Sequence, residues 1–297
     1  MTIQRKAKAF LENKLFHLFF LAKLFLEIER NYKIINFIKS NKLKKLSSLD
    51  IGKYKSSNTL FIMGSGASIN ELNDKEWQII HKNDSIGINF WLIHEFIPTY
   101  YMFEPGVNLD RLNTFFRLLS LRSIDYSNTP ILIRDVESNK LDMSRIPSHL
   151  KPNIYIPYKL AIPGNETDSL SKAIKLINTL KLYNTSNVLL AKRASISQAI
   201  SFGQKMEYKN IVLCGVDLNN VEYFYEDDHY RNSNIPIPRS EQRGAIHKTV
   251  DPTYYGKITI DIVIEKMNNN LLKPNNINLY IGSKKSALYP MLPCYFG

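Results

Sequence analysis

The chain has 297 residues (34.4 kDa), 44% of them hydrophobic, with 17 Tyr and 15 Phe, enough apolar mass for one large buried core. Only two cysteines occur, Cys214 and Cys294, and the six histidines are scattered, which excludes a disulfide-stapled scaffold and a sequence-spaced zinc module. The net charge is +12, yet no RNP-type, zinc-finger or helix-turn-helix pattern accompanies it, so nucleic acid is not the partner it points to.

That charge is concentrated at the start. Residues 1–46 hold eleven Lys/Arg and three Glu, a net of +8. Their longest uncharged run, Leu15–Ala22, is eight residues, whereas a membrane-spanning helix needs about 20. No small-residue cleavage site follows, so a secretory signal is not expected. Apolar and basic residues interleave as in a basic amphipathic helical segment lying on an anionic membrane face. The alternative is a helical hairpin packed on the main domain or on another subunit. Residues 47–58, rich in Ser with Gly52, read as a linker, which leaves 59–297 as the main domain.

From there strands and helices alternate. Strands are expected at 60–63, 85–89, 100–104, 131–134, 153–156, 187–190, 210–214 and 277–281, and helices at 74–81, 109–121, 169–182, 195–206 and 254–269. This order predicts an α/β fold, a single Rossmann-like nucleotide-binding domain with a mostly parallel sheet and helices on both faces. Cys214 falls in the apolar run IVLCGVD and reads as a buried thiol. Residues 218–247 break the alternation with a polar, Tyr- and Pro-bearing stretch. A loop that long inside a domain reads as a lid.

The strand TLFIM runs into GSGAS (Gly64 to Ser68), then a helix, then a second strand ending at Asn89. Gly64 and Gly66 would let the backbone approach a phosphate, and Ser68 would cap the next helix, whose N–H groups favour an anion. A dinucleotide fingerprint wants a third small residue, but that position is Ile69, and Asn89 stands where an acid would hold a ribose. A dehydrogenase is therefore not expected, while a purely structural turn stays open. Ligands of such sheets lie beyond the carboxyl ends of strands. The residues placed there are Gly64, Ser65, Gly66, Ser68, Asn89, Glu104, Arg193, Ser195 and Asp217.

Several blocks in order then resemble the bacterial sialyltransferases of glycosyltransferase family 42. GSGAS is similar to the family's GNGPS, and GINF (Gly87 to Phe90) to its second strand ending in a nucleotide-contacting Asn, here Asn89. KRASISQAISFGQKMEYKNIVLCGVD (Lys192 to Asp217) resembles an Arg-x-x-Ser helix followed by YKEIYLSGID. HKTVD (His247 to Asp251) resembles HSKNTD, which carries the catalytic histidine, and LYIGSKKSAL (Leu279 to Leu288) resembles LYCLCPNSLL. The likeness spans about residues 58–290. Departures are Ser65 for a donor-contacting Asn, Ala67 for Pro, Asn219 for a phosphate-binding Tyr, and Glu104 for an Asn.

The resemblance implies a GT-A variant core and transfer of sialic acid, with inversion, from CMP-sialic acid to a galactose-type acceptor on surface lipooligosaccharide or capsule. It implies His247 as base, Tyr223 and Tyr225 on the leaving phosphate, and Ser286 reaching the nucleotide from the last loop. It also implies no cofactor beyond the CMP-sugar co-substrate, no metal, a homotetramer, and a cytoplasmic location at the inner face of the inner membrane. The chemistry of the residues agrees: a CMP leaving group carries one phosphate, no DxD-type run is present in the nucleotide half, and histidine suits a base near neutral pH. The alternatives are a transferase for another CMP-activated acid sugar (Kdo, legionaminic or pseudaminic acid) and a non-catalytic, membrane-associated nucleotide-binding module.

Overall fold

The computed structural model describes residues 15–297 except 107, 137–140, 239–246, 248 and 256. The strands are β1 (Lys44–Lys45), β2 (Thr59–Met63), β3 (Asp84–Ile88), β4 (Tyr100–Phe103), β5 (Ile131–Ile133), β6 (Ile154–Ile156), β7 (Tyr158–Ala161), β8 (Val188–Ala191), β9 (Asn210–Cys214) and β10 (Asn278–Ile281). The longer helices are α1 (Phe16–Ser40), α2 (Asp74–His81), α3 (Leu109–Leu121), α4 (Thr167–Thr179), α5 (Ser195–Lys205) and α6 (Ile260–Met267). Eight strands form one sheet in the order β1-β6-β5-β4-β3-β2-β9-β10, and every pairing in it is parallel. The strand order reverses between β2 and β9, and a crevice opens at such a point beyond the carboxyl ends.

Parallel strands buried on both faces need apolar residues at every position, and TLFIM and NIVLC supply them. Alternate residues serve opposite layers. Leu60, Ile62, Ile211 and Leu213 pack with α4, α5 and α6, whereas Phe61, Met63, Val212 and Cys214 pack with α2 and α3. Helix α2 starts where an N-cap can hold it: Asn73 Oδ1 accepts from the N–H of Lys75 and Glu76, and Glu76 returns the bond to the Asn73 N–H.

The expected α/β architecture with a mostly parallel central sheet is present, with four differences. First, the strand at 188–191 leaves the main sheet and pairs with β7 in a separate two-stranded sheet. Second, the expected helix 254–269 is broken: a short turn at Pro252–Tyr255 precedes α6, which passes into a π turn at Asn268–Leu272. Third, residues 47–58 are packed rather than spaced out, because Leu46 and Leu49 are buried. The buried Asp84 carboxylate also accepts the Ser56 and Ser57 N–H groups, the Ser56 hydroxyl and the Tyr208 hydroxyl.

The fourth concerns the N-terminal segment, of which residues 1–14 lie outside the described residues. Helix α1 is docked on the domain. Phe16, Phe19 and Phe20 enter one layer of the core, and Ile34 and Ile38 enter the other. Asn31 Nδ2 donates to the Lys159 carbonyl at 3.0 Å while its Oδ1 accepts the Lys159 N–H at 3.1 Å, so α1 is fastened along β7. The opposite side of α1 is also apolar, with Leu18, Leu21, Phe25, Ile28 and Tyr32 exposed. A simple split into one apolar and one basic face does not describe it. Among the described residues, no helix is long and apolar enough to cross a membrane.

Candidate functional site

Two turns meet at the strand reversal. Gly64 N–H donates to the Cys214 carbonyl at 2.7 Å and Gly66 N–H to the Gly215 carbonyl at 2.9 Å. A Cβ on Gly64 would stand 2.4 Å from the Gly215 oxygen, and one on Gly66 would stand 2.5 Å from Asp217 Oδ2. Both glycines are thus required by the approach of one turn to the other, whatever the ligand. Gly66 itself has φ −69, so no left-handed backbone is involved there.

Asp217 completes the clasp. Its buried carboxylate accepts the Ser68 N–H at 3.0 Å and the Ser68 hydroxyl. The expectation that Ser68 caps the next helix is corrected: the chain passes through a 3-10 turn at Ala67–Glu71, and Asn73 caps α2. A third strand of backbone closes over the turn, with Gly66 bridged antiparallel to Tyr223 and the Phe224 N–H donating to the Ser65 carbonyl at 3.0 Å.

Beside these turns lies a cavity of about 410 Å³. Its walls bring together Gly64, Ser65 and Gly66 with Asn89, Glu104, Arg193 and Ser195 from the ends of β3, β4 and β8. Asp217, Tyr223 and His247 complete the set. Three expected residues are not part of its lining. Ser68 is spent on Asp217. Ser286 is buried and donates its hydroxyl to the Val216 carbonyl at 2.7 Å. Tyr225 is buried behind Tyr223, their rings stacked with centroids 5.1 Å apart.

The N-terminus of α5 faces the cavity through Ala194, Ser195 and Ile196. The first N–H groups of a helix have no intrahelical acceptor and carry its positive end, so this wall favours an anion. Ala194 holds the N-cap position of α5, and the Ser195 side chain is engaged elsewhere. Its hydroxyl accepts from Arg134 Nη2 at 2.7 Å and from Asn89 Nδ2 at 3.2 Å, and donates to Glu104 Oε2 at 3.0 Å. One donor and two acceptor sites are all a hydroxyl has, so Ser195 is saturated. Asn89, at φ 55, keeps its buried Oδ1 without a partner among the described residues. An acceptor left open in this way can be met by a ligand N–H or O–H.

The same network explains Glu104. It forms an ion pair with the buried Arg134, which also pairs with Asp135 at 3.2 Å. Sequence reasoning missed Arg134; the signal was an arginine closing the apolar strand ILIR, where an unpaired charge would be costly. It also missed Arg111, in the cavity wall, whose guanidinium lies 4.6 Å from the centroid of the Phe90 ring. Tyr101 donates its hydroxyl to the Asn89 carbonyl, and burial pushes that phenol well above its ordinary pKa, so it stays a donor. Burial likewise raises the Cys214 thiol, which keeps it from ionising.

His247 stands at the cavity wall with Nδ1 2.7 Å from Thr249 Oγ1, its ring edge-on to Tyr223 at a centroid distance of 6.4 Å. The chain before it packs through aromatics: Phe224 and Tyr230 close on Trp91 and His94, themselves stacked 4.5 Å apart. Residues 239–246 of the expected lid lie outside the described residues. The site can therefore hold an anion at α5 and present an imidazole and a phenol to whatever is bound. No known protein-family model and no curated protein matches the chain.

Proposed function

We propose that the chain is an inverting, metal-independent glycosyltransferase, a GT-A variant similar to the family 42 sialyltransferases, with residues 218–247 as its lid. The observation that carries this reading is the gathering of His247 and Tyr223 in one cavity with Arg193 and the N-terminus of α5. CMP-sialic acid would place its phosphate at α5 and Arg193. The acceptor hydroxyl loses its proton to His247 as its oxygen bonds to the anomeric carbon. The bond from that carbon to the phosphate oxygen breaks, and CMP departs with the electron pair. Tyr223 donates to the departing phosphate, and Tyr225, stacked behind it, sets its ring plane.

A donor carrying another CMP-activated acid sugar is the second reading, favoured by Glu104 where the family has Asn. The acceptor is a surface glycan. The exposed apolar side of α1 with the net +8 of residues 1–46 supports attachment to an anionic membrane face. Incubation with CMP-sialic acid and CMP-Kdo, without and with a galactose-type acceptor, tests the assignment. Free CMP and acceptor-dependent product support it, and a protein that binds CMP yet turns over neither donor is a binding module instead.

A further inference from the structure

A second cavity of about 240 Å³ opens beside the first, sharing Glu104, Arg193 and Ala194 with it. Among the described residues, five cations line it against two carboxylates, Glu104 and Asp135. They come from separate elements: Arg30 from α1, Arg134 after β5, Lys159 from β7, and Lys192 with Arg193 after β8. Each is held in place. Lys159 Nζ lies 2.7 Å from Asp135, Lys192 Nζ donates to the Gly164 carbonyl at 2.6 Å, and Arg30 pairs with Glu27 at 2.8 Å. Even with Glu27 counted, positive charge is in excess.

Two buried donors in this wall have no acceptor among the described residues: Arg134 Nε and Gln198 Nε2. Both side chains are more than nine-tenths buried. Leaving such groups unsatisfied is costly, and most of all when one is part of a cation. A carboxylate accepts from a guanidinium and an amide with charge assistance.

We propose that this cavity is a carboxylate subsite that recognises an acidic sugar on the acceptor, an inference that rests on the glycosyltransferase reading. The donor's own carboxylate does not need it. In a CMP-activated ulosonic acid the carboxylate sits on the same carbon as the phosphate ester, so both fall in the larger cavity. The neighbouring space fits an acid carried by the other substrate. Arg30 makes α1 part of that subsite, which gives the N-terminal helix a role in selectivity.

The test uses the full chain saturated with CMP, titrated with glucuronic acid or with glucose and followed by saturation-transfer NMR. Glucuronic acid should bind about ten-fold or more tightly than glucose, the scale of one charge-assisted hydrogen bond. Arg30→Gln, on a partly exposed side chain, and Gln198→Leu should each erase most of that preference, with thermal melts confirming the fold. Equal binding of the two sugars, glucuronic acid binding to the CMP-free protein that is lost once CMP saturates it, or an undiminished preference in both variants would each overturn the subsite. If glucuronic acid binds as expected but no CMP-sugar is turned over, the glycosyltransferase reading fails and the carboxylate site stands. With turnover established, wild type should favour a glucuronate-terminated over a glucose-terminated acceptor in kcat/KM, and Arg30→Gln should narrow that ratio.

Discussion

Asp217 grips Ser68 twice, through backbone and hydroxyl, although 149 residues separate them in the chain. Both groups are buried, so each variant leaves a partner without its bond. Asp217→Ala should cost about 1–3 kcal/mol for the orphaned Ser68 groups. Urea unfolding of Asp217→Ala, Ser68→Ala and the double variant should give a coupling energy of at least about 1 kcal/mol. Additive effects would mean that the clasp is incidental.

The proposed base is tested by His247→Ala. It should lower transfer by about 10²-fold or more while CMP affinity changes little, because the anion wall is built by α5 and Arg193. Survival of transfer within a few-fold of wild type would remove His247 from the mechanism.

A CMP-sugar carries a single phosphate and needs no ion to neutralise a bridging diphosphate. Turnover should therefore persist in EDTA. Loss on chelation, restored by Mn²⁺ or Mg²⁺, would instead indicate a nucleoside-diphosphate-sugar donor.

His94 provides a pH prediction independent of the site. Burial, with help from Arg122 and His229, lowers its pKa to about 4, against about 6.5 unfolded. The unfolded chain thus takes up a proton that the native state refuses. Stability from this group is fully present above pH 6.5 and falls as pH drops towards 4, by up to about 3 kcal/mol. His94 Nδ1 accepts the Phe96 N–H at 3.0 Å, a bond that an Asn oxygen can replace. His94→Asn should be less stable at pH 7, with its rings unstacked, but should lose less between pH 6.5 and 4. Parallel stability curves for the two proteins would contradict this.

Much of this architecture is legible in the chain. The runs TLFIM and NIVLC define β2 and β9, and the helix expected at 74–81 is α2, although its cap is Asn73 and not Ser68. The glycine turns point to the cavity because strand ends and helix starts fix its place. What escaped detection depends on partners far away in sequence. YKLA reads as a loop after Pro157 until Val188–Ala191 is seen beside it. Arg134 is an unremarkable strand end until Glu104 and Ser195 surround it. Ser68 and Ser195 have the residue type of caps, but tertiary hydrogen bonds claim their hydroxyls first.

The docking of α1 yields a further prediction. Phe20 is 2% exposed, and Phe20→Ala should destabilise by about 3–5 kcal/mol. Removal of residues 1–46 should lower the melting temperature and cause aggregation, because it strips Phe16, Phe19, Ile34 and Ile38 from both layers. A truncated protein that melts with the full chain would show that α1 is dispensable. Co-sedimentation of the full chain with anionic vesicles, compared with neutral ones, reads the outer side of the helix separately.

The pairing of β2 with β9 also shapes how the molecule is made. Strand β2 can meet β3 as soon as residue 88 has emerged, but its other edge waits for residues 210–214. A ribosome adding roughly 5–20 residues per second leaves that edge open for on the order of ten seconds. It is apolar on both faces and free to pair with another nascent chain during that time. The stretch of synthesis between residues 88 and 214 is therefore the period of greatest aggregation risk, and chaperone dependence should peak before Cys214 is synthesised.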